Sequence, residues 1–171
     1  MPKSGKSAGW SKKWCWNALG LVLVFAAGLT FAIYQQGQRI PPLSLNTLNG
    51  QAITVPAEGL TWVNFWSVSC PPCMEEMPYL DTLHEEYQGR ARVVGISAYY
   101  DPPDAIIAMR DRLKLHNMPL ALDINGVAAQ QFPNNDVVPT HYLLDEKGDI
   151  LLSFQGTLSE ARIRAALEQH L

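Results

Sequence analysis

The chain has 171 residues, of which 47% are hydrophobic, and its 13 basic and 16 acidic residues give a formal net charge of −3. The charge is unevenly divided, because five of the basic residues precede residue 41 and the first acidic residue is Glu58. The rest of the chain therefore has 8 basic against 16 acidic residues, a net charge of about −8. This acidic excess argues against nucleic acid as a partner, and the length suits one compact domain.

The N-terminal part combines a basic segment, 1–13, with an apolar run, 14–34, whose one strongly polar residue is Asn17. A helix of that length spans about 30 Å, the thickness of the hydrocarbon core of a bilayer, and aromatic residues lie at both of its ends. A cleaved signal peptide is the alternative interpretation. We favour an uncleaved transmembrane anchor because the run is long and no small-residue cleavage site follows it. The basic segment should then stay in the cytoplasm, with the rest of the chain outside.

Residues 35–42 are polar and contain two prolines, so we predict a linker that leads into a domain spanning 43–171. The apolar run at 61–66 is rich in strand-forming residues and predicts a buried strand. Leucines at helical spacing predict a helix over 71–87, and the apolar run at 91–100 predicts a central parallel strand. Strand, helix and strand in this order indicate a right-handed crossover.

Asp101 and Pro102 form the expected cap of a second helix. The remaining predicted elements are an amphipathic helix, a short strand, a short helix, a hairpin and a closing helix, at 105–115, 118–122, 126–132, 141–154 and 158–171. This order of elements predicts an α/β fold with a central mixed sheet flanked by helices.

Cys70 and Cys73 are separated by two residues, at the point where the predicted strand ends and the next helix begins. A disulfide that encloses so short a loop adds little stability, so the pair indicates chemistry in a compartment where disulfides persist. The helix start favours a thiolate at Cys70, which we expect to attack, while Cys73, one turn into the helix, resolves the mixed disulfide. Cys15, at the membrane edge, is expected to be passive.

A Trp-x-x-x-Cys-x-x-Cys core, followed by an acid and a proline, is formed by Trp66, Cys70, Cys73, Glu76 and Pro78. This pattern resembles the thioredoxin superfamily and, within it, the membrane-anchored TlpA/ResA-like thiol–disulfide oxidoreductases. The resemblance covers about 42–171 and implies a thioredoxin-like fold, with the TlpA-like insertion at 101–132. It also implies that no cofactor is needed.

The resemblance further implies a cis-proline at Pro139, which together with Val138 and Trp66 would form the substrate-binding residues. Where thioredoxin has a buried aspartate, this chain has Asn64, which cannot accept a proton. Glu76 is then the candidate base, since positions three apart on a helix share a face. The alternative is a solvated helix carboxylate, which is what we expect of Glu75.

Two features of the motif bear on its chemistry. Pro71 and Pro72 supply no N–H group to a Cys70 thiolate, which argues against a strongly oxidising site. Ser69 stands where the resembling family usually has tryptophan, so the surface around the attacking sulfur differs. Thr140 stands where thioredoxins of cytochrome c maturation often have glutamate.

The resemblance implies a single-pass protein of a bacterial inner membrane, with its catalytic domain in the periplasm, that reduces disulfides of exported proteins. Apocytochrome c is one candidate client, though Thr140 does not favour it. A membrane thiol reductase of the Dsb family would supply the electrons. The reverse direction, an oxidase that donates its disulfide, stays open at this point because the spacing of the cysteines does not set the reduction potential.

A copper(I) carrier is the main alternative from another class, because Met74 and Met77 adjoin the two cysteines and soft sulfur ligands suit that ion. Methionines in a helix are more often core residues. A zinc site would need two further ligands, and the scattered histidines are expected on the surface or in the core. These histidines are His84, His116 and His141. A peroxiredoxin is disfavoured because its loop proline would fall at Val63.

Overall fold

The computed structural model describes residues 38–171. The basic segment 1–13 and the predicted anchor 14–34 lie outside the described residues. None of the helices within 38–171 is both long and apolar enough to cross a bilayer.

The described part of the chain contains seven strands and four helices. In chain order these elements are β1 (Leu43–Asn46), β2 (Ala52–Val55), β3 (Leu60–Trp66), α1 (Pro71–Glu86), β4 (Ala91–Ser97), α2 (Pro103–Leu113), β5 (Leu120–Leu122), α3 (Val127–Gln131), β6 (Thr140–Leu144), β7 (Ile150–Gln155) and α4 (Glu160–His170). The predicted helices, the buried strands and the closing hairpin are confirmed, whereas the β1–β2 hairpin was not predicted.

Five strands form one mixed sheet in the order β5-β4-β3-β6-β7. β3 lies at its centre, parallel to β4 and antiparallel to β6, and all seven of its residues are buried. A strand that is covered on both faces is largely apolar, which explains why β3 lacks a polar–apolar alternation; Thr61 and Asn64 are its buried polar residues. α2, β5 and α3 lie between β4 and β6 in the chain, and β5 extends the sheet beyond β4.

Two hydrophobic clusters include alternate residues of β3. Trp62 and Trp66 join residues of α1, α2 and α4, whereas Val63 and Phe65 join residues of α3 and of the β1–β2 hairpin. Side chains of successive strand residues point to opposite faces, so the sheet separates these two clusters. The carboxyl end of β3 leads directly into α1, and this junction carries the two cysteines.

The predicted linker, 35–42, is partly wrong, because the folded unit begins at Gln38 rather than at Leu43. Ile40 is buried, and its N–H donates to the Gly148 carbonyl at 2.8 Å. Gly148 has φ +88°, and a Cβ at this position would collide with the Ile40 carbonyl. The lack of a side chain at Gly148, in the β6–β7 turn, therefore lets the backbone at Ile40 approach closely.

Candidate active site

Cys70 and Cys73 form a disulfide at the start of α1. Cys70 is the N-cap of the helix, and Cys73, one turn later, is 0% exposed compared with 8% for Cys70. The Cys73 N–H donates to Cys70 Sγ at 3.2 Å. The structure thus has the predicted asymmetry, in which the first sulfur is the more accessible and the second lies in the core.

Pro71 and Pro72 occupy the first two positions of α1 and have no N–H group. The backbone donor that reaches Cys70 Sγ is the N–H of Cys73. Other helix N-termini present up to four free N–H groups at this point. The start of α1 is therefore poor in donors for a Cys70 thiolate, as the sequence indicated.

The loop between β3 and α1 is held by Asp101, whose role differs from the prediction. Instead of capping α2, the Asp101 carboxylate accepts hydrogen bonds from the Val68 N–H at 2.8 Å and the Ser67 hydroxyl at 2.9 Å. Ser67 Oγ also lies 2.9 Å from the hydroxyl of Ser69. The N-cap of α2 is Pro102, which makes no side-chain capping bond. Asp101 thus fixes the loop that leads into Cys70.

The Val138–Pro139 peptide bond is cis, as expected from the resemblance, and it lies beside the disulfide. The Val138 carbonyl oxygen is 3.6 Å from Cys70 Sγ. The adjoining surface forms a groove of about 560 Å³ whose lining includes Tyr99, Tyr100 and Val137. These three side chains are all more than half exposed. The groove also includes polar residues such as Asp136, and it meets the disulfide at Val138, which lines it.

Trp66 was expected to contact substrate, and the structure contradicts this. Its side chain is fully buried in the cluster that contains Cys73 and Met77. Space for the indole comes from Gly95 on β4, where a Cβ would lie only 3.2 Å from Trp66 Nε1. Trp66 therefore supports the site from the core.

Glu76 is fully buried, which rules out the alternative of a solvated helix carboxylate. Its Oε1 accepts a hydrogen bond from the Leu158 N–H at 2.6 Å, and its Oε2 lies 3.2 Å from His141 Nε2. The neighbouring Glu75 is exposed, as predicted. Glu76 therefore lies in the core on the same helix as Cys73 and one turn after it.

His141 and Asn64 complete a buried polar group that the sequence did not reveal. Both side chains are 0% exposed, and Asn64 Nδ2 lies 3.3 Å from His141 Nδ1. The two residues are direct cross-strand partners of β3 and β6. Only the register between these strands identifies the pair, so no local sequence signal could have found it.

The structure accounts for the other histidines and the two methionines considered from the sequence without a catalytic or metal-binding role. His84 is half-buried, and its Nδ1 accepts a hydrogen bond from the Val93 N–H at 3.2 Å. Burial lowers the pKa of His84 below its usual value of 6.5. His116 is exposed, while Met77 is buried in the core and Met74 packs against it. Packing thus accounts for both methionines.

The chain is similar to a known protein family, to named oxidoreductases and to solved structures. A family model described as Redoxin matches residues 35–169. The thioredoxin-like protein YneN of Bacillus subtilis is 31% identical, over 92% of this chain and 98% of its own length. The thiol-disulfide oxidoreductase ResA of Halalkalibacterium halodurans is 25% identical, over 92% of this chain and 95% of its own. The solution structure of a putative thioredoxin from Neisseria meningitidis superposes with a TM-score of 0.68, at 24% identity, and covers 80% of this chain and 91% of that one.

Proposed function

The chain belongs to the Redoxin family and is a thiol–disulfide oxidoreductase of the TlpA/ResA-like type, and from that premise we propose that it reduces disulfide bonds of exported proteins. The observation that carries the proposal is the Cys70–Cys73 disulfide, which joins a helix cap to a fully buried residue beside a cis-proline. A disulfide that encloses two residues adds little stability, so its place at a helix start favours a redox role.

In the proposed reaction, the Cys70 thiolate attacks one sulfur of a client disulfide and releases the other as a thiolate. The Cys73 thiol then gives its proton to a base, and its thiolate attacks Cys70 Sγ. This step forms the Cys70–Cys73 disulfide and breaks the bond between Cys70 and the client. The second client sulfur leaves as a thiolate, which takes a proton from water. Two electrons thus pass from the dithiol to the client.

Glu76 is the base in this proposal. Cys73 is buried, so bulk water has no direct route to its proton, and a base must come from the protein. Glu76 shares the buried face of α1 with Cys73, and only one of its oxygens accepts a backbone hydrogen bond. Glu75, exposed on the same helix, offers a matched control for any substitution of Glu76.

Client binding is assigned to Val138, Pro139 and the adjoining groove. The Val138 carbonyl lies next to Cys70 Sγ, where the backbone of an extended client segment would pass. Tyr99 and Val137 expose apolar surface alongside it. Large aromatic side chains bury much area with few rotatable bonds, so they suit the binding of unfolded clients with varied sequences.

We place the domain in the periplasm, tethered to the inner membrane by the segment 14–34, with 1–13 in the cytoplasm. Electrons would come from a membrane thiol reductase of the Dsb family. The reducing direction is supported by Pro71 and Pro72, because a helix start with few N–H donors stabilises the Cys70 thiolate less than a complete one. A less stabilised thiolate makes the dithiol the better electron donor.

The decisive experiment uses the full chain in cells. Cys73→Ser should trap disulfide-linked clients on Cys70, because the resolving sulfur is missing, and Cys70→Ser is the matched control that should trap none. Alkylation of the wild type in acid-quenched cells should show a resting dithiol. A resting disulfide would instead indicate an oxidase, and failure to trap any partner would favour the copper-binding alternative.

A further inference from the structure

Three elements around the disulfide contribute one polar side chain each to a continuous buried chain. Glu76 comes from α1, His141 from β6 and Asn64 from β3, and all three are 0% exposed. Glu76 Oε2 lies 3.2 Å from His141 Nε2, although neither atom makes a hydrogen bond, and His141 Nδ1 lies 3.3 Å from Asn64 Nδ2. Burial of three polar side chains is costly unless each makes hydrogen bonds, so packing alone does not explain why Glu76, His141 and Asn64 are buried together.

Two tautomers of the His141 ring fit these contacts. With Asn64 Nδ2 donating to Nδ1, the ring proton is on Nε2, and the ring has no free lone pair towards Glu76. Asn64 Oδ1 has no hydrogen-bond partner. Rotation of the Asn64 amide by half a turn would present Oδ1 to a protonated Nδ1 instead. With the amide turned in this way, Nε2 is unprotonated and its lone pair faces Glu76, so the ring can accept a proton there and become the imidazolium.

We propose that His141 is a positioning residue for the exchange reaction, which shares with Glu76 the proton that Glu76 takes from Cys73. The proposal rests on the proposed function, in which Glu76 is the base. The step requires the tautomer with Nδ1 protonated, with Asn64 Oδ1 accepting from it. After the transfer, the proton lies either on Glu76, which then donates to Nε2, or on Nε2 beside the Glu76 carboxylate, and both arrangements have the same net charge.

The charge balance explains why such a pair is useful in the core. Before the transfer, Glu76 carries one negative charge and Cys73 is a neutral thiol. After it, the Glu76–His141 pair is neutral overall and the Cys73 thiolate carries the charge. The buried region therefore holds one negative charge throughout, so forming the buried thiolate adds no further charge to the low-dielectric interior.

Other titratable groups near Glu76 do not offer this exchange. The Tyr79 hydroxyl, one turn later on α1, donates to the Leu158 carbonyl. Burial, and then the charge of Glu76, raise the pKa of Tyr79, and the exposed carboxylates Glu160 and Glu75 add to this. Tyr79 thus stays protonated and cannot act as a base.

Apart from Glu76, the groups described around the His141 ring carry no charge. Asn64 faces Nδ1 from β3, and the Trp62 ring lies at a centroid distance of 5.7 Å. From β7, the residue in register with His141 is Phe154. The one acidic group within reach of the ring in the described residues is Glu76.

The test follows the release of thionitrobenzoate from Ellman's reagent by the reduced full chain, purified in detergent, in a stopped-flow instrument. The first equivalent reports attack by Cys70 and depends on concentration, whereas the second reports attack by Cys73 and does not. His141→Gln places an uncharged polar group towards Glu76 that cannot take up a proton. His84→Gln is the matched control, because it makes the same substitution at a histidine near the other end of α1.

We expect His141→Gln to slow the second phase roughly tenfold, less than the about 100-fold or more that loss of the base itself would cost, and to change its pH profile. The first phase should not change. In combination with Glu76→Gln, the histidine variant should cost nothing further, because the two residues act as one unit. His84→Gln should match the wild type in both phases.

Equal second-phase rates and pH profiles in wild type and His141→Gln would overturn the proposal, because glutamine is polar and of similar size but cannot share a proton with Glu76. Should the variant not fold, ¹⁵N NMR of the ring nitrogens in the wild type decides: the His141 shifts must differ between dithiol and disulfide forms. Unchanged shifts would reject a shared proton. Absence of a second phase in the wild type would instead reject the proposed exchange reaction itself.

Discussion

The two halves of α1 each bury a carboxylate, and they satisfy it in different ways. Asp81, in the second half, accepts four hydrogen bonds, from the N–H groups of His116, Asn117 and Met118 and from the side-chain amide of Asn117. Glu76, in the first half, accepts one backbone hydrogen bond, and its second oxygen faces the ring of His141. Both side chains are almost inaccessible, with exposures of 6% and 0%.

This difference separates a structural carboxylate from the proposed base. Each oxygen of Asp81 accepts from two donors, so a proton on either oxygen would displace an existing hydrogen bond. Glu76 has an oxygen that can take up a proton without losing a backbone partner. Burial alone therefore does not identify a base; the number of donors committed to the carboxylate does.

The largest effect should come from Glu76→Gln. Glutamine keeps an acceptor for the Leu158 N–H but cannot take a proton from Cys73, so the second phase of thionitrobenzoate release should slow by about 100-fold or more. The free energy of unfolding should change little, since no backbone bond is lost. Glu75→Gln, on the exposed side of the same helix, should leave both phases unchanged. Wild-type kinetics in Glu76→Gln would show that Glu76 is not the base, so the two carboxylates of α1 would not differ in function.

Asp81→Asn should show the opposite behaviour. The new amide keeps one oxygen for two of the four donors, but its NH₂ group faces the His116 N–H and the Asn117 amide, which are donors too. We expect a loss of about 2–4 kcal/mol in the free energy of unfolding, measured by urea denaturation. The rate of the second phase per folded molecule should stay the same. A slower second phase in fully folded Asp81→Asn would show that the second half of α1 also takes part in the chemistry.

The sequence predicted the elements that depend on local pattern and missed the contacts that depend on register. The apolar run of β3, the helix after Cys70 and the β6–β7 hairpin follow from composition and spacing, and the structure has all three. The β1–β2 hairpin was missed because its strands are only four residues long and their alternation is weak. The linker was predicted too long because Ile40 packs against the distant turn at Gly148.

The candidate site likewise combines residues that motif spacing predicts with contacts that only the tertiary fold reveals. Cys70, Cys73 and Pro139 could be placed from motif spacing, and the spacing of Glu76 from Cys73 suggested a shared helix face. The partners of Glu76 come from 65 or more residues further along the chain, at His141 and Leu158. Asp101 was predicted to cap α2, and only the tertiary fold shows that it holds the loop at Val68 instead.

The smallest effect concerns His84, the histidine in the second half of α1. Burial lowers its pKa in the folded state, and the Val93 N–H occupies the Nδ1 lone pair that a proton would need. The unfolded chain therefore binds the proton more readily, so this contribution to stability is complete above pH 6.5 and declines as the pH falls below that value.

His84→Gln should remove that part of the pH dependence, which is measured as the free energy of unfolding in urea at about pH 5.5 and about pH 8. His116→Gln is the control, because His116 is exposed and its ring makes no hydrogen bond in the described part of the chain. Identical pH dependence in wild type and His84→Gln would mean that the ring does not stay neutral in the fold. The expected result would show that His84, in the second half of α1, responds to protonation through stability, whereas the response proposed for Glu76 in the first half is through the rate of Cys73 attack.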